Sequence, residues 1–211
     1  VTAAAPSIFL ATPCYGGLAH ASYTRSLLAL RPACAARGIG LHVELGGGEA
    51  LVARGRAAMM AAFLASAATR LLFVGNDVAF APEAVFRLLD SGHDVVGAAL
   101  PDEPSPARSE PDPLGFRRVD TLDAGFLLVS RRAAQRMVDA HPELRAKLGD
   151  LHAARAASAT MMFDAFVDPQ SGRYLAEADA FCHRWRALGG EVWADTRGGV
   201  RRDGSPVPAG S

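Results

Sequence analysis

The chain has 211 residues, 22 Lys+Arg against 22 Asp+Glu and therefore no net charge, and 50% of its residues are hydrophobic. That composition belongs to a globular domain long enough to bury a real core, and it excludes a disordered or fibrous chain. A sequence pI near 7.2 excludes a general nucleic-acid or anionic-membrane binder, which needs a basic face. Of the 22 basic residues only Lys147 is lysine. Together with the many alanines, this reads as the codon usage of a GC-rich, bacterial genome. The functional alternative is arginine retained for phosphate or carboxylate contacts.

Cys14, Cys34 and Cys182 are widely spaced and form no CxxC or zinc pattern, which suits reduced thiols. The segment Val1 to Pro6 has no basic n-region, so no signal peptide is expected. The longest strongly apolar stretch, Ala57 to Ala68, falls short of the roughly 20 residues that cross a bilayer. The expectation is a soluble, cytoplasmic protein without a membrane span.

Along the chain, Ser7 to Thr12 is a short apolar run that ends in Pro13 and Gly16-Gly17, which predicts a buried strand feeding a loop. His20 to Arg37 predicts a helix closed by Gly38. Ile39 to Leu45 predicts a strand followed by Gly46-Gly47-Gly48, and Glu49 to Ala68 a second helix. Arg70 to Val74 is the third strand. A helix opens at Pro82, a favoured first-turn position for proline, and runs to about Ser91. Asp94 to Ala98 is the fourth strand. Pro101 to Pro113 holds five prolines among acidic residues and predicts a mobile surface loop. Phe126 to Val129 is a buried strand, Arg131 to Ala140 a helix, Glu177 to Leu188 a helix ending at Gly189-Gly190, and Glu191 to Ala194 a final strand. The alternation predicts a single α/β domain over residues 1–196 with a mainly parallel central sheet flanked by helices, and a flexible tail over 197–211. Such sheets bind ligands outside the carboxyl ends of their strands, here the loops Pro13–Gly17, Gly46–Gly48 and Gly75–Asp77.

Four segments, in order, resemble the bacterial glycosyltransferases of the GT-A fold, in the nucleotide-diphospho-sugar transferase superfamily. They are Leu10-Ala11-Thr12-Pro13-Cys14-Tyr15-Gly16-Gly17, Leu51-Val52-Ala53-Arg54-Gly55-Arg56, Leu71 to Pro82, and Ser171 to Leu175 continuing through Phe181–Gly190 to Asp195. The resemblance implies a Rossmann-like GT-A domain that binds a nucleotide-sugar and transfers the sugar to a glycan, lipid or protein acceptor. It implies donor contacts from Thr12, Pro13, Tyr15, Gly16, Arg54, Arg56, Asn76 and Asp77. It also implies a Mn or Mg ion on the sugar diphosphate, and a carboxylate near the acceptor. A hard cation neutralises diphosphate charge, and a carboxylate base can activate a hydroxyl.

The metal apparatus departs from that pattern. The DxD triplet falls on Gly75-Asn76-Asp77, so Asp77 alone is left as a metal ligand. The ED pair falls on Glu177-Ala178, with Asp179 one residue on and rotated by about 100° on a helix. Glu177 and Asp179 are the candidate catalytic carboxylates. The family's metal-binding His aligns to Arg202. A glycine-rich GTGF strand motif appears as Asp123-Ala124-Gly125-Phe126.

Two explanations compete: a metal-independent transferase in which Arg54, Arg56, Arg201 or Arg202 neutralises the diphosphate, or a catalytically degenerate GT-A domain that serves as a binding or partner module. A nucleotidyltransferase on a similar sheet is a third, weaker reading. Arg54 and Arg56 sit two apart on a helix and face different ways, so one is expected at the nucleotide loop and the other in solvent. Tyr15 suits base stacking or packing on the sheet end, and Asn76 a turn. Cys14 has no partner His or Asp nearby in sequence that would make it a nucleophile.

Overall fold

The computed structural model describes residues 6–99, 106–148 and 157–203. In chain order the elements are β1 (Ser7–Cys14), α1 (Ala21–Ala36), β2 (Gly40–Gly47), α2 (Val52–Ala65), β3 (Arg70–Val74), β4 (Val78–Ala79), α3 (Pro82–Asp90), β5 (Val95–Ala98), β6 (Phe116–Val119), β7 (Phe126–Ser130), α4 (Arg131–Ala140), β8 (Arg145–Lys147), β9 (Ser158–Thr160), β10 (Phe166–Val167), β11 (Tyr174–Leu175), α5 (Glu177–Ala187), β12 (Val192–Asp195) and β13 (Arg201–Arg202).

Seven strands form the central sheet in the order β2-β1-β3-β7-β5-β12-β6. β1 pairs in parallel with β2 and β3, and β12 in parallel with β5. β7 runs antiparallel between β3 and β5, and β6 antiparallel beside β12. Five strands thus point one way and two the other, which is the mainly parallel α/β architecture expected. The carboxyl ends of β1, β3, β5 and β12 share one edge with the amino end of β7.

The strands read as continuous apolar runs because the sheet is buried on both faces. Alternation still sorts them. Phe9, Ala11, Leu71, Phe73, Leu127 and Val129 face one side, against Met59, Met60 and Phe63 of α2, Ala133 and Met137 of α4, and Phe181 and Trp185 of α5. Ile8, Leu10, Leu72, Val74, Phe126 and Leu128 face the other, against Tyr23 and Leu30 of α1 and Val85 and Leu88 of α3. Helix ends follow local chemistry. Ser130 caps α4 by accepting from the Ala133 amide at 3.0 Å. Gly38 takes a φ of 67° just beyond α1, a left-handed turn that costs glycine little.

Helices and strands expected from the sequence are found within a few residues of their predicted ends, except that α2 starts at Val52 rather than Glu49 because Glu49 and the Leu51 amide form a turn ahead of it. Two expectations need correction. Residues 106–113 do not behave as a free loop: Ala107 bridges Val119, and the Arg108 amide donates to the Arg118 carbonyl at 2.8 Å. Nor is the start of the expected tail free. Arg201–Arg202 pairs antiparallel with β4, and Val200 is buried among Val78 and Phe80. Residues 101–105 of the loop and 204–211 of the tail lie outside the described residues. The three cysteines are buried and unpaired, and burial pushes the Cys14 and Cys182 thiols up, the latter to about 11. No helix among the described residues is long and apolar enough to cross a membrane.

Candidate active site

The loop after β1 is a single tight turn, Tyr15–Gly17, made possible by left-handed Gly16 and Gly17 at φ 71° and 72°. Tyr15 projects from it, 68% exposed, and is open to a ligand. Thr12 is not. It is fully buried, and its hydroxyl shares a 2.7 Å hydrogen bond with the Tyr23 hydroxyl of α1. Burial pushes the Tyr23 phenol up to about 12, so the pair remains neutral and structural. The Thr12 hydroxyl is thus engaged inside the protein and faces no open surface. The reason is Tyr23, whose position inside a helix gives no sequence signal of this contact.

The loop after β3 is stapled to the loop after β1. Asn76 Nδ2 donates to the Leu18 carbonyl at 2.8 Å, and the His20 amide donates to the Asn76 carbonyl at 2.9 Å. Asn76 is therefore a brace for the two loops. A Cβ on Gly75 would meet Asp77 Oδ1 at 2.8 Å and Val78 Cγ2 at 3.0 Å, so a side chain there would make the Asp77 carboxylate shift.

Asp77 meets the chain's end. Its carboxylate lies 3.6 Å from Arg202 Nε, and its carbonyl accepts the Asp203 amide at 2.8 Å. Arg202 Nη2 also donates to Asp123 Oδ1 at 2.8 Å. Asp203 in turn accepts from the Ser22 hydroxyl and faces His20 Nδ1 at 3.3 Å; the Ser22 hydrogen bond holds its carboxyl below the usual range. Sequence alone brings Asp77 and Arg202 forward as separate candidates. It misses Asp123, although that residue lies within the glycine-rich motif. Its signal is one of position, at the amino end of a strand that runs against its neighbours.

The two helix arginines differ from expectation. Neither is simply solvated. Arg54 makes a two-pronged contact with Glu49, 2.6 Å through Nε and 3.0 Å through Nη2, and this pairing holds the Glu49 carboxyl below its usual range. Arg56 is buried, lies over the Phe163 ring, and donates through Nη1 to Glu177 Oε1 at 2.7 Å. Its Nε is buried without a hydrogen-bond partner. Arg56 therefore reaches across to the first turn of α5.

That first turn ends on a cleft of about 780 Å³. Glu177, Ala178 and Asp179 all line it, together with Thr121, Asp123, His183 and Arg186. Glu177 and Asp179 both line the cleft, which starts at the first turn of α5 and follows the helix face that carries Asp179, His183 and Arg186. Asp179 Oδ1 accepts from the Thr121 hydroxyl at 2.5 Å. At the far wall Asp120 accepts from Arg108 at 2.6 Å and lies 3.1 Å from Arg186. The cleft does not include Thr12 to Gly17, Arg54 or Asp77 among its lining. Asp123 joins the two regions, since it lines the cleft and also bonds Arg202.

A divalent ion at Asp77 does not fit this donor set. Among the described residues no three His, Cys, Asp or Glu side chains converge for a metal. The two carboxylates nearest that position, Asp77 and Asp123, are both turned to one guanidinium. A hard cation prefers several oxygen ligands and is repelled by a fixed positive charge.

No protein-family model matches the chain, and no curated protein matches it. Among solved structures it is similar to A197 from STIV, with a TM-score of 0.50 and 14% identity over 90% of this chain and 82% of that one. It is more distantly similar to a glycosyltransferase involved in the glycosylation of the major capsid of PBCV-1, with a TM-score of 0.39 and 12% identity over 64% of this chain and 67% of that one. A third is a mannose-1-phosphate geranyltransferase from Thermus thermophilus, with a TM-score of 0.41 and 15% identity over 64% of this chain and 60% of that one. At such identity the likeness to A197 concerns the fold alone, and the two fainter likenesses carry no argument. The fold of this chain is α/β, with a mixed, mostly parallel central sheet flanked by helices, and it is similar to that of A197.

Proposed function

We propose that the chain binds a nucleotide-diphospho-sugar over the loops that follow β1 and β3 and transfers the sugar to a hydroxyl acceptor held in the cleft at the start of α5. The observation that carries this reading is the placement of Glu177 and Asp179 in one cleft with Asp123, and the link from Asp123 through Arg202 to Asp77 at the strand edge. Donor and acceptor sides are thereby contiguous at the carboxyl edge, where open α/β sheets bind ligands. Exposed Tyr15 and Gly16, beside half-buried Pro13, supply a surface for the base and ribose.

In the transfer, the acceptor oxygen forms a bond to the anomeric carbon as the bond from that carbon to the diphosphate breaks. Glu177, which faces the cleft, accepts the hydroxyl proton. Arg56 holds one Glu177 oxygen and so fixes the orientation of the carboxylate. Asp179 is held by Thr121 and suits a hydrogen-bonding role toward the acceptor. No step is routed through a metal.

A second reading has its own observation. Arg54, Arg56 and Arg202 each already face a carboxylate, so the positive charge available to a diphosphate is small. This favours a domain that keeps the fold and binds a ligand or partner without transfer. A nucleotide-sugar panel separates the two: thermal shift reads binding, and liquid chromatography reads release of the nucleoside diphosphate. The transferase reading expects both signals with at least one donor, and the binding-module reading expects the first alone. No shift with any donor at millimolar concentration overturns the donor site itself.

A further inference from the structure

We infer that Arg202 is the resident cation of this site: its guanidinium takes the place that a divalent ion would hold between Asp77 and Asp123. The inference deepens the donor-site reading and rests on it for its meaning, but the experiment below needs no donor.

Three observations converge. First, the guanidinium is shared, with Nε 3.6 Å from Asp77 Oδ2 and Nη2 2.8 Å from Asp123 Oδ1. Second, the arginine is seated by the backbone. Arg202 pairs with Val78 in the β13–β4 ladder, and the Asp203 amide donates to the carbonyl of Asp77 itself at 2.8 Å. Buried Val200 anchors the strand from one side, and Asp203, held by Ser22 and His20, from the other. Third, the position that would supply another carboxylate is Gly75, which has no side chain to offer.

The physical consequence is competition. A cation fixed to the chain meets its carboxylates at the effective concentration of a tethered group, which is millimolar or higher for short tethers. A free divalent ion must displace the guanidinium or sit beside it, and with only two carboxylates it gains few oxygen ligands in exchange. The trio of Asp77, Asp123 and Arg202 keeps one net negative charge, where two carboxylates and a divalent ion would be neutral. Donor occupancy of the site is therefore expected to be insensitive to chelators.

The test is Mn²⁺ titration of the full chain followed by electron paramagnetic resonance, in which bound Mn²⁺ loses the free-ion signal. Wild type is expected to show no site that Asp77→Asn or Asp123→Asn alters. Arg202→Met keeps the aliphatic stem and removes the charge, and it is expected to gain Mn²⁺ affinity by about 10-fold or more, because the tethered competitor is gone. That gain is expected to vanish in Arg202→Met/Asp77→Asn. Should Arg202→Met fail to fold, Arg202→Gln, which retains a donor to Asp123, is read in its place. Wild-type Mn²⁺ binding that Asp77→Asn abolishes overturns the inference, as does a folded Arg202→Met or Arg202→Gln protein with no gain. Because no nucleotide is present, failure here leaves the donor reading standing. A null donor panel, conversely, leaves the Mn²⁺ result standing.

Discussion

Asp195 closes the sheet edge that carries the site, and its removal has a calculable cost. Its carboxylate is fully buried and accepts from Arg87 Nε at 2.8 Å, from Arg87 Nη2 at 2.7 Å and from the Arg197 amide at 2.9 Å. It thereby ties the end of β12 to α3 and to the segment that leads into β13. Asp195→Asn keeps the shape but sets an amide against donors. Breaking a buried ion pair from one side costs about 3–5 kcal/mol. The Arg87 side chain is 32% exposed, so its charge regains some water. That discount brings the expected loss to about 2–4 kcal/mol. For a chain of this size the loss lowers Tm by about 4–16 °C.

Urea unfolding at neutral pH reads it directly, with a lower midpoint and an unchanged slope. A cycle with Arg87→Ala isolates the pair, and the double variant is expected to lose clearly less than the sum of the singles. A cost below about 1 kcal/mol, or strict additivity, would refute the reasoning, since either places the pair among exposed ones.

Three further outcomes follow from the same contacts. Tyr23→Phe strands the buried Thr12 hydroxyl and is expected to cost about 1–3 kcal/mol in urea unfolding, while leaving ligand binding intact. Glu49 has a depressed carboxyl, chiefly through its hydrogen bonds from Arg54. Its contribution to stability is therefore complete above the ordinary value of 4.5 and is lost as pH falls through the lower folded value. The stability gap between wild type and Glu49→Gln is expected to be constant from neutral pH down to the ordinary value of 4.5 and to shrink as pH falls further. Glu177→Gln is expected to lower the rate of sugar transfer about 10²–10⁴-fold with donor binding unchanged, whereas Asp179→Asn acts mainly on acceptor KM.

How much of this was legible in the sequence depends on the range of the interaction. The β1, β3, β5 and β7 runs announce themselves because both faces of the sheet are buried and the residues are apolar without interruption. Helix α3 is marked by Pro82 in its first turn. The two-residue strands β4 and β13 leave no periodic trace, since two residues cannot show a period. Their pairing is set by Val200, near the end of the chain, finding the cluster of Val78 and Phe80. Site partners are harder still. The resemblance puts Arg56 among the donor contacts, but its partner Glu177 lies 121 residues away and is chosen by how α2 and α5 cross the same sheet face. The resemblance likewise puts Thr12 among the donor contacts, and nothing in the sequence announces that Tyr23 turns back on it from α1.

The central claim is a donor site at the strand edge in which Arg202 stands where a divalent ion would. Its most direct measurement is a calorimetric titration of the wild-type chain with a panel of nucleotide-diphospho-sugars, in EDTA and again in Mn²⁺. The account predicts one donor that binds with the same Kd in both buffers and more weakly in Arg202→Met under EDTA. A donor that binds only with Mn²⁺, or a complete absence of binding across the panel, would contradict it.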